Sequence, residues 1–225
     1  MRGRSIVTRE RLDRTVIDIE FLLIAVIQGL ALTTLAINSE AVIGDPQWLY
    51  WPYMVAGFVL IINFWALAVT HSISFISWPF DIVHTVLYLL LAFVEVAAFG
   101  QITHPAKWFI FMLAFFLVSA CLYGWDLRMI RARRPEFENT PVRVALYTHI
   151  HDRQTRELRL LLPAALAFQG LIVILLLVSP GAILDGNRHL FVVVAQIIFG
   201  LVYLGDTIRN FSVRAQLITN CIEDG

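Results

Sequence analysis

Residues 160–178 read LLLPAALAFQGLIVILLLV, nineteen consecutive positions without a charged side chain. Arg159 immediately precedes this run, and the next charged residue is Asp185. An α-helix needs about 20 apolar residues to cross the hydrocarbon core of a bilayer. The run therefore predicts a transmembrane helix, and it decides the fold class because the same pattern recurs along the chain.

The composition agrees with a membrane protein. The chain is 59% hydrophobic and 15% charged, and its mean hydropathy is +0.74, whereas soluble domains are usually about 25% charged. Glu95 interrupts the third apolar stretch, which leaves a re-entrant segment as the alternative there. We predict one all-α transmembrane domain over residues 1–225, with six helices at 15–37, 49–71, 79–100, 106–128, 157–180 and 189–210.

Positive charge is confined to alternate connections of this pattern. Of the 17 Lys and Arg residues, only Lys107 and Arg188 fall on the opposite side. Because cytoplasmic loops are enriched in Lys and Arg, we expect both termini to be cytoplasmic. The excess of Arg over Lys is typical of a GC-rich genome, and we expect a bacterial inner membrane. The segments predicted to be cytoplasmic are 1–14, 129–156 and 211–225.

The third predicted span carries a polar stripe. Asp81, His84, Tyr88 and Glu95 are spaced by three, four and seven residues, which places them on one helix face. This pattern favours a hydrated path in which Glu95, predicted to face water, and His84 hold protons or cations. In the alternative interpretation, Asp81 and His84 lie among the headgroups, and Glu95 pairs with an amide side chain of a neighbouring helix.

A second stripe lies on the sixth predicted span. Gln196 and Tyr203 share one face, Asp206 adjoins it, and the fourth span adds Tyr123 and Asp126 at similar depth. These groups are candidates for the same polar path. Polar side chains of this kind also serve as ordinary interhelical hydrogen bonds, worth about 0.6–2 kcal/mol each.

The connection at 129–156 is the largest polar segment. Four arginines lie at or just before its start, at the predicted membrane surface, where each favours anionic lipid by about 1 kcal/mol. The sequence also predicts a short amphipathic helix over residues 142–156. We expect the arginines to contact acidic headgroups, with a purely topological role as the alternative; they are Arg128, Arg131, Arg133 and Arg134.

Motifs for chemistry are sparse. His149 and His151 form a His-x-His pair, and His71 with Asp81 and His84 offers another partial set of metal ligands. Neither set contains enough ligands for a closed metal site, and the sequence has no phosphate-binding loop or nucleophile elbow. We therefore expect no cofactor and no metal. The net charge of zero does not favour nucleic acid as a partner, and free thiols are expected at Cys121 and Cys221.

The sequence contains an internal similarity. Gln28-Gly29-Leu30 follows a pair of arginines, as does Gln169-Gly170-Leu171, and a Tyr-x-x-Asp pattern occurs at both Tyr123 and Tyr203. Three related helical hairpins would explain these matches, and such repeats are common in transporters.

The layout of the chain resembles that of the bacterial six-helix potassium channels related to a lysosomal potassium channel. The shared features are N-terminal arginines, short outer connections and an aromatic-rich second span. The hallmark of that family is Arg-x-x-x-Phe-Ser-Asp at the start of the first helix. The corresponding residues here, from Arg14 to Glu20, read RTVIDIE. The resemblance therefore implies a layout only, and no family residue is carried over.

These observations favour movement of a proton or small cation by a channel or small transporter. The alternatives are a non-transporting assembly or regulatory subunit and, third, a membrane-embedded enzyme. The partner expected from the sequence is the lipid bilayer, and a homo-oligomer is left open. The polar stripes discriminate between the first two possibilities, because a transport path needs them to meet on one hydrated axis.

Overall fold

The computed structural model describes the backbone of residues 3–44, 48–74 and 81–223, with side chains at 18–19, 21–44, 49–71 and 81–221. The structure is 94% helical, and the described residues contain no β-strand. The side chains of the predicted basic N-terminus, residues 1–14, lie outside the described set. The predicted all-α membrane bundle is confirmed.

Nine α-helices make up the described chain. A π-helical segment, Glu157–Leu161, joins the sixth to the seventh, and short 3₁₀ turns occupy Trp48–Tyr50 and Asp185–Asn187. The helices are α1 (Gly3–Gly44), α2 (Trp51–Ser74), α3 (Ile82–Phe99), α4 (Pro105–Ala132), α5 (Arg134–Phe137), α6 (Pro141–Arg156), α7 (Leu162–Val178), α8 (Pro180–Leu184) and α9 (His189–Glu223).

Within the described residues, six helices are long and apolar enough to cross a membrane, so the chain is a multi-pass membrane protein. Their ends differ from the sequence-based bounds. α1 continues to Gly44, and α9 continues to Glu223. The predicted loop at 129–156 is mostly helical, because α4 extends to Ala132 and α6 occupies Pro141–Arg156. The predicted amphipathic helix over 142–156 thus corresponds to α6.

The π-helical segment follows from the position of a proline. Pro163 has no backbone N–H, and its ring would crowd the carbonyl group four residues earlier in a regular α-helix. The backbone widens there, and the N–H of Leu162 donates to the carbonyl of Glu157, five residues before it. A π segment of this kind is a local insertion in a helix and often occurs at functional sites. It joins α6 to α7 without ending the helix.

The six spans are arranged in a ring, and five of the six neighbouring pairs of helices pack closely against each other. α2 packs against α9 and α1, α3 packs against α1 and α4, and α4 packs against α7. Glycine permits two close approaches: a Cβ at Gly57 would lie 2.9 Å from Leu35 of α1, and a Cβ at Gly200 would lie 2.6 Å from Val59 of α2. α7 and α9, both fully described, lack comparable packing with each other.

A smaller apolar core lies at one end of the bundle. Ile130, Leu146 and Ile150 are buried between the end of α4 and α6, and Leu217 and Ile218 of α9 pack against them. This end contains the segment 128–156 and is called the arginine-rich end below. The small apolar core explains why α9 is longer than predicted, because the last turns of α9 are held by contacts with α6.

Candidate functional site: two charged clusters and a cavity

A buried carboxylate lies between two histidines at the arginine-rich end. Asp126 of α4 is 1% exposed. One of its oxygens lies 2.8 Å from Nδ1 of His84 on α3, and the other lies 3.7 Å from Nδ1 of His71 on α2. Three helices thus converge on one carboxyl group. We call His71, His84 and Asp126 the histidine cluster.

Asp81 supports this cluster from the start of α3. Its Oδ1 accepts a hydrogen bond from the backbone N–H of His84 at 2.9 Å, and its extended backbone makes it the N-cap of the helix. The indole N–H of Trp125 donates to the same oxygen at 3.1 Å. N-cap side chains satisfy backbone donors at a helix start. The role observed for Asp81 is therefore to fix the position of His84.

A second charged cluster lies between α6, the π segment and α9. Arg153 Nε donates to Glu157 Oε1 at 2.7 Å, and both side chains are almost fully buried. Arg153 also donates to Thr207 at 3.1 Å, while Arg156 donates to Asp206 at 3.2 Å. We call Arg153, Arg156, Glu157, Asp206 and Thr207 the arginine cluster.

Arg214 adds a further buried cation close to this cluster. It is 3% exposed, lies on the extended part of α9, and donates to the backbone carbonyl of Thr70 at 3.3 Å. Thr70 lies in the second-last turn of α2, whose C-terminal carbonyls favour a positive charge. This contact ties α9 to the end of α2, four residues before that helix stops.

A tyrosine pair stands between the two clusters. The hydroxyl groups of Tyr123 on α4 and Tyr203 on α9 lie 2.8 Å apart. The amide of Gln154 on α6 donates to the backbone carbonyl of Tyr123 at 3.2 Å. Tyr203 is three residues before Asp206, and Tyr123 is three residues before Asp126. The two Tyr-x-x-Asp patterns noted in the sequence therefore meet at this pair.

Two adjoining cavities connect these groups with the opposite end of the bundle. The larger has a volume of about 360 Å³ and lies between α2, α4, α7 and α9; the smaller, of about 70 Å³, lies beside the histidine cluster. Phe64, Leu122 and Tyr123 line both. Along α4 the lining extends from Trp108 to Asp126, which is about 27 Å by helical rise. The cavities together cover most of a bilayer's hydrocarbon thickness.

Gln196 belongs to a polar layer at the far end of the larger cavity. Its Oε1 accepts from the indole of Trp108 at 3.1 Å, and its Nε2 donates to Gln169 at 2.8 Å. Gln169 in turn donates to the backbone carbonyl of Phe109. These bonds link α4, α7 and α9. Trp108 is buried, with 1% of its surface exposed.

Glu95 is separated from the other candidates. It is 0% exposed, and its Oε2 lies 3.5 Å from Nε2 of Gln28 on α1. It lines neither of the two cavities described above. The prediction that Glu95 faces water is therefore wrong for this structure, because the face that it occupies meets α1. Pairing with an amide of a neighbouring helix, the alternative interpretation, describes its contact.

The remaining candidates divide between the interior and the surface. Tyr88 stacks on Phe64, with ring centroids 4.9 Å apart, and lines the smaller cavity. Arg128 lies over the ring of Trp125 at 4.8 Å, and Arg134 pairs with Glu138 at 3.0 Å. Of the four predicted headgroup arginines, Arg133 is half-buried and the other three are exposed: Arg128, Arg131 and Arg134. Their contact with acidic lipid stays a prediction.

The partial metal motifs do not assemble among the described residues, which contain no group of three His, Cys, Asp or Glu side chains arranged to hold a metal ion. His71 and His84 both point toward Asp126, whereas Asp81 caps α3. His151 lies 3.2 Å from its neighbour Asp152 on the surface of α6. His71, His84 and His151 thus contact carboxylates as hydrogen-bonding or ion-pairing groups.

Sequence reasoning identified only part of the arginine cluster. Asp206 is among the sequence candidates, whereas Arg153, Arg156 and Glu157 are not. The spacing of Arg153 and Glu157 by four residues on one helix was the available signal, since such residues are neighbours on a helix surface. Arg214 gave no signal, because the sixth helix was predicted to end at residue 210.

The chain matches no protein-family model, and neither a curated protein nor a solved structure is similar to it. Function therefore has to be inferred from the geometry of the clusters and cavities alone.

Proposed function

We propose that this chain moves a proton, or a small cation, across a bacterial inner membrane, with both termini in the cytoplasm. One observation carries the proposal. Asp126 is buried between two imidazoles beside a cavity that adjoins a second, larger cavity. An ionisable group inside a membrane span is costly, which makes it a candidate for function. Carboxylate and imidazole side chains are common members of proton relays in membrane proteins.

The lining of the larger cavity offers hydrogen-bonding groups at successive depths. Tyr123 and Tyr203 follow the histidine cluster, Asn63 and Ser119 lie further along, and the Gln169–Gln196 layer ends the series. A water chain held by these groups would connect Asp126 with the far side of the bundle. The smaller cavity, of about 70 Å³, is large enough for water, which needs roughly 10–15 Å³.

Proton flux into liposomes tests the proposal. The purified chain is reconstituted with a pH-sensitive dye inside, and a pH gradient is imposed with the membrane potential clamped. Asp126→Asn keeps the shape and one acceptor oxygen but removes the negative charge, so flux should fall at least tenfold. Asp152→Asn is the matched control, because Asp152 is 71% exposed on α6, and its flux should equal that of the wild type.

Two results would count against the proposal. Wild-type proton flux no higher than that of protein-free liposomes would exclude protons, and the same result in a cation-flux assay would reject transport. Equal flux in the Asp126 and Asp152 variants would exclude the histidine cluster. Glu95→Gln separates the two sequence candidates. A route through the cavities predicts unchanged flux in that variant, whereas loss of flux would place Glu95 on the path.

A non-transporting assembly or regulatory subunit is the second candidate, and one observation favours it. Several stripe residues contact separate neighbours: Glu95 meets Gln28, and Gln196 meets Trp108 and Gln169. Interhelical bonds of this kind stabilise a bundle without forming a path. Absence of proton or cation flux from a folded, reconstituted protein would favour this function.

A further inference from the structure

The larger cavity has a side opening between α7 and α9. Most of its wall is buried, but four lining residues are also exposed on the surface of the bundle. Ala164 and Phe168 lie on α7, and Ala195 and Phe199 lie on α9. These are the two spans of the ring that lack extensive packing with each other. The opening therefore follows from the gap in the ring.

The opening lies at the depth of the hydrocarbon. Phe168 is about 9 Å along the helix from Leu162 and about 15 Å from Val178. Phe199 is about 15 Å from the start of α9 at His189. Both positions are within apolar stretches, and the side chains that flank them face outward, as Leu171 and Ile198 do. A molecule that enters here comes from the bilayer interior and not from water.

The lining of this cavity favours an apolar occupant. Most of its wall is aliphatic or aromatic. The polar side chains on the wall mostly bond within the protein: the two tyrosines to each other, Gln196 to Gln169, and Glu157 to Arg153. The exception is Asn63, whose Oδ1 has no partner although its Nδ2 bonds to Gly200. Water can still use the remaining acceptor capacity of the hydroxyl groups, but a larger polar solute would find few free partners.

We propose that the acyl chain of a membrane lipid occupies this cavity, entering between α7 and α9. A cavity of about 360 Å³ is within the range of small-ligand sites, roughly 300–1,000 Å³. If it were empty, its walls would lose dispersion contacts that a hydrocarbon chain restores. The lining runs from Glu157 to Gln169 along one helix, about 18 Å, so the cavity is elongated like an extended chain.

This occupant has a consequence for transport that rests on the proposed function. An acyl chain in the cavity displaces the water that links Asp126 with the Gln169–Gln196 layer. The route is then closed while the chain is bound and open when it leaves. Binding of the chain itself does not depend on whether the protein transports protons.

Quenching of Trp108 fluorescence by lipids tests the binding. Trp108 lines the cavity and is 1% exposed, so bulk lipid does not contact it. The reference variant keeps this tryptophan alone and is reconstituted in phosphatidylcholine with brominated acyl chains. The five residues replaced by Phe in that variant are Trp48, Trp51, Trp65, Trp78 and Trp125.

Cavity-filling substitutions supply the comparison. Ala165→Phe fills the cavity from α7, and Ser119→Leu fills it from α4, so that the test survives if one of them fails to fold. Ala25→Phe is the matched control, because Ala25 is exposed on α1 and does not line the cavity. Quenching should be strong in the reference and the control, and at least threefold weaker when the cavity is filled.

The opposite outcomes are distinct. Equal quenching in the filled and control variants, or none in the reference, would overturn the proposal. Emission shifted to long wavelength without quenching would show water in the cavity, and loss of quenching on dimerisation would show a helix of a second copy there; both also overturn it. Lipid binding would be retained and the proton route rejected by one combination of results. Quenching would be strong in the reference variant and weak in Ala165→Phe, while proton flux in Ala165→Phe would equal that of the wild type.

Discussion

The histidine cluster and the arginine cluster lie at the same end of the bundle, and each joins helices through a buried carboxylate. They differ in the cation that faces the carboxylate. Asp126 meets two imidazoles, each of which has two ring nitrogens that can donate or accept a hydrogen bond and can hold a proton. Glu157 meets the guanidinium of Arg153, which stays charged at any pH that the cell experiences.

The cation that faces the carboxylate decides what each cluster is suited to do. The histidine cluster is suited to proton transfer, and the arginine cluster is suited to fixing the positions of helices. The arginine cluster connects α6, the π segment and α9 with a permanent charge, so its removal should be felt as lost stability. The histidine cluster contains no arginine, so a change in its charge leaves no guanidinium group unpaired. The following predictions test this division, and they run from the largest expected effect to the smallest.

Glu157→Leu should reduce the free energy of unfolding by about 3–5 kcal/mol, because it leaves the buried Arg153 without its carboxylate. The chain contains a matched control, since Arg134 and Glu138 form the same four-residue pair at 3.0 Å on the surface. Glu138→Leu should cost only about 0–1 kcal/mol. Denaturant unfolding in detergent, followed by circular dichroism, measures both. Equal losses would contradict the structural role assigned to the arginine cluster.

His84→Gln should cost about 1.5–3 kcal/mol, since it removes a 2.8 Å hydrogen bond to a carboxylate. His71→Gln should cost less, because His71 lies 3.7 Å from the same group. The same unfolding measurement compares the two variants. If His71→Gln proved the more damaging, the hydrogen bond from α3 would not be the dominant contact of the histidine cluster.

Tyr123→Phe should have the smallest effect, about 0.6 kcal/mol and at most about 1.7 kcal/mol, the range found for interhelical hydrogen bonds in membranes. A double-mutant cycle with Tyr203→Phe isolates the 2.8 Å bond between the two hydroxyl groups. Additive losses would show that this bond contributes nothing. Non-additive losses would show that the tyrosine pair couples α4, which carries Asp126, to α9, which carries Asp206.

The six spans could be predicted from the sequence because each depends on local composition. The run at 160–178 is apolar whatever surrounds it. The helical character of α6 was also recognisable from its amphipathic pattern. Properties of this kind need no knowledge of which helices become neighbours.

The candidate site could be predicted only in part, because periodicity gives the face of a helix and not its neighbour. Glu95, His84 and Tyr88 share a face of α3, yet Glu95 meets α1 whereas His84 meets α4. Arg153 was unpredictable as a buried residue for the same reason. Its contact on α9 is Thr207, and the pattern of neither helix shows that these two helices become neighbours.

The π-helical segment at Glu157–Leu161 lies within the continuous helix from Pro141 to Val178 and sets the rotation of α6 about the helix axis relative to α7. Each residue added to or removed from an α-helix turns everything beyond it by about 100°. If the segment relaxed to regular α-helical geometry, α6 would rotate relative to α7, and Arg153 would leave Thr207 while Gln169 stayed in place. A movement of α6 would then appear as a rotation relative to α7, and the segment would act as the joint between them.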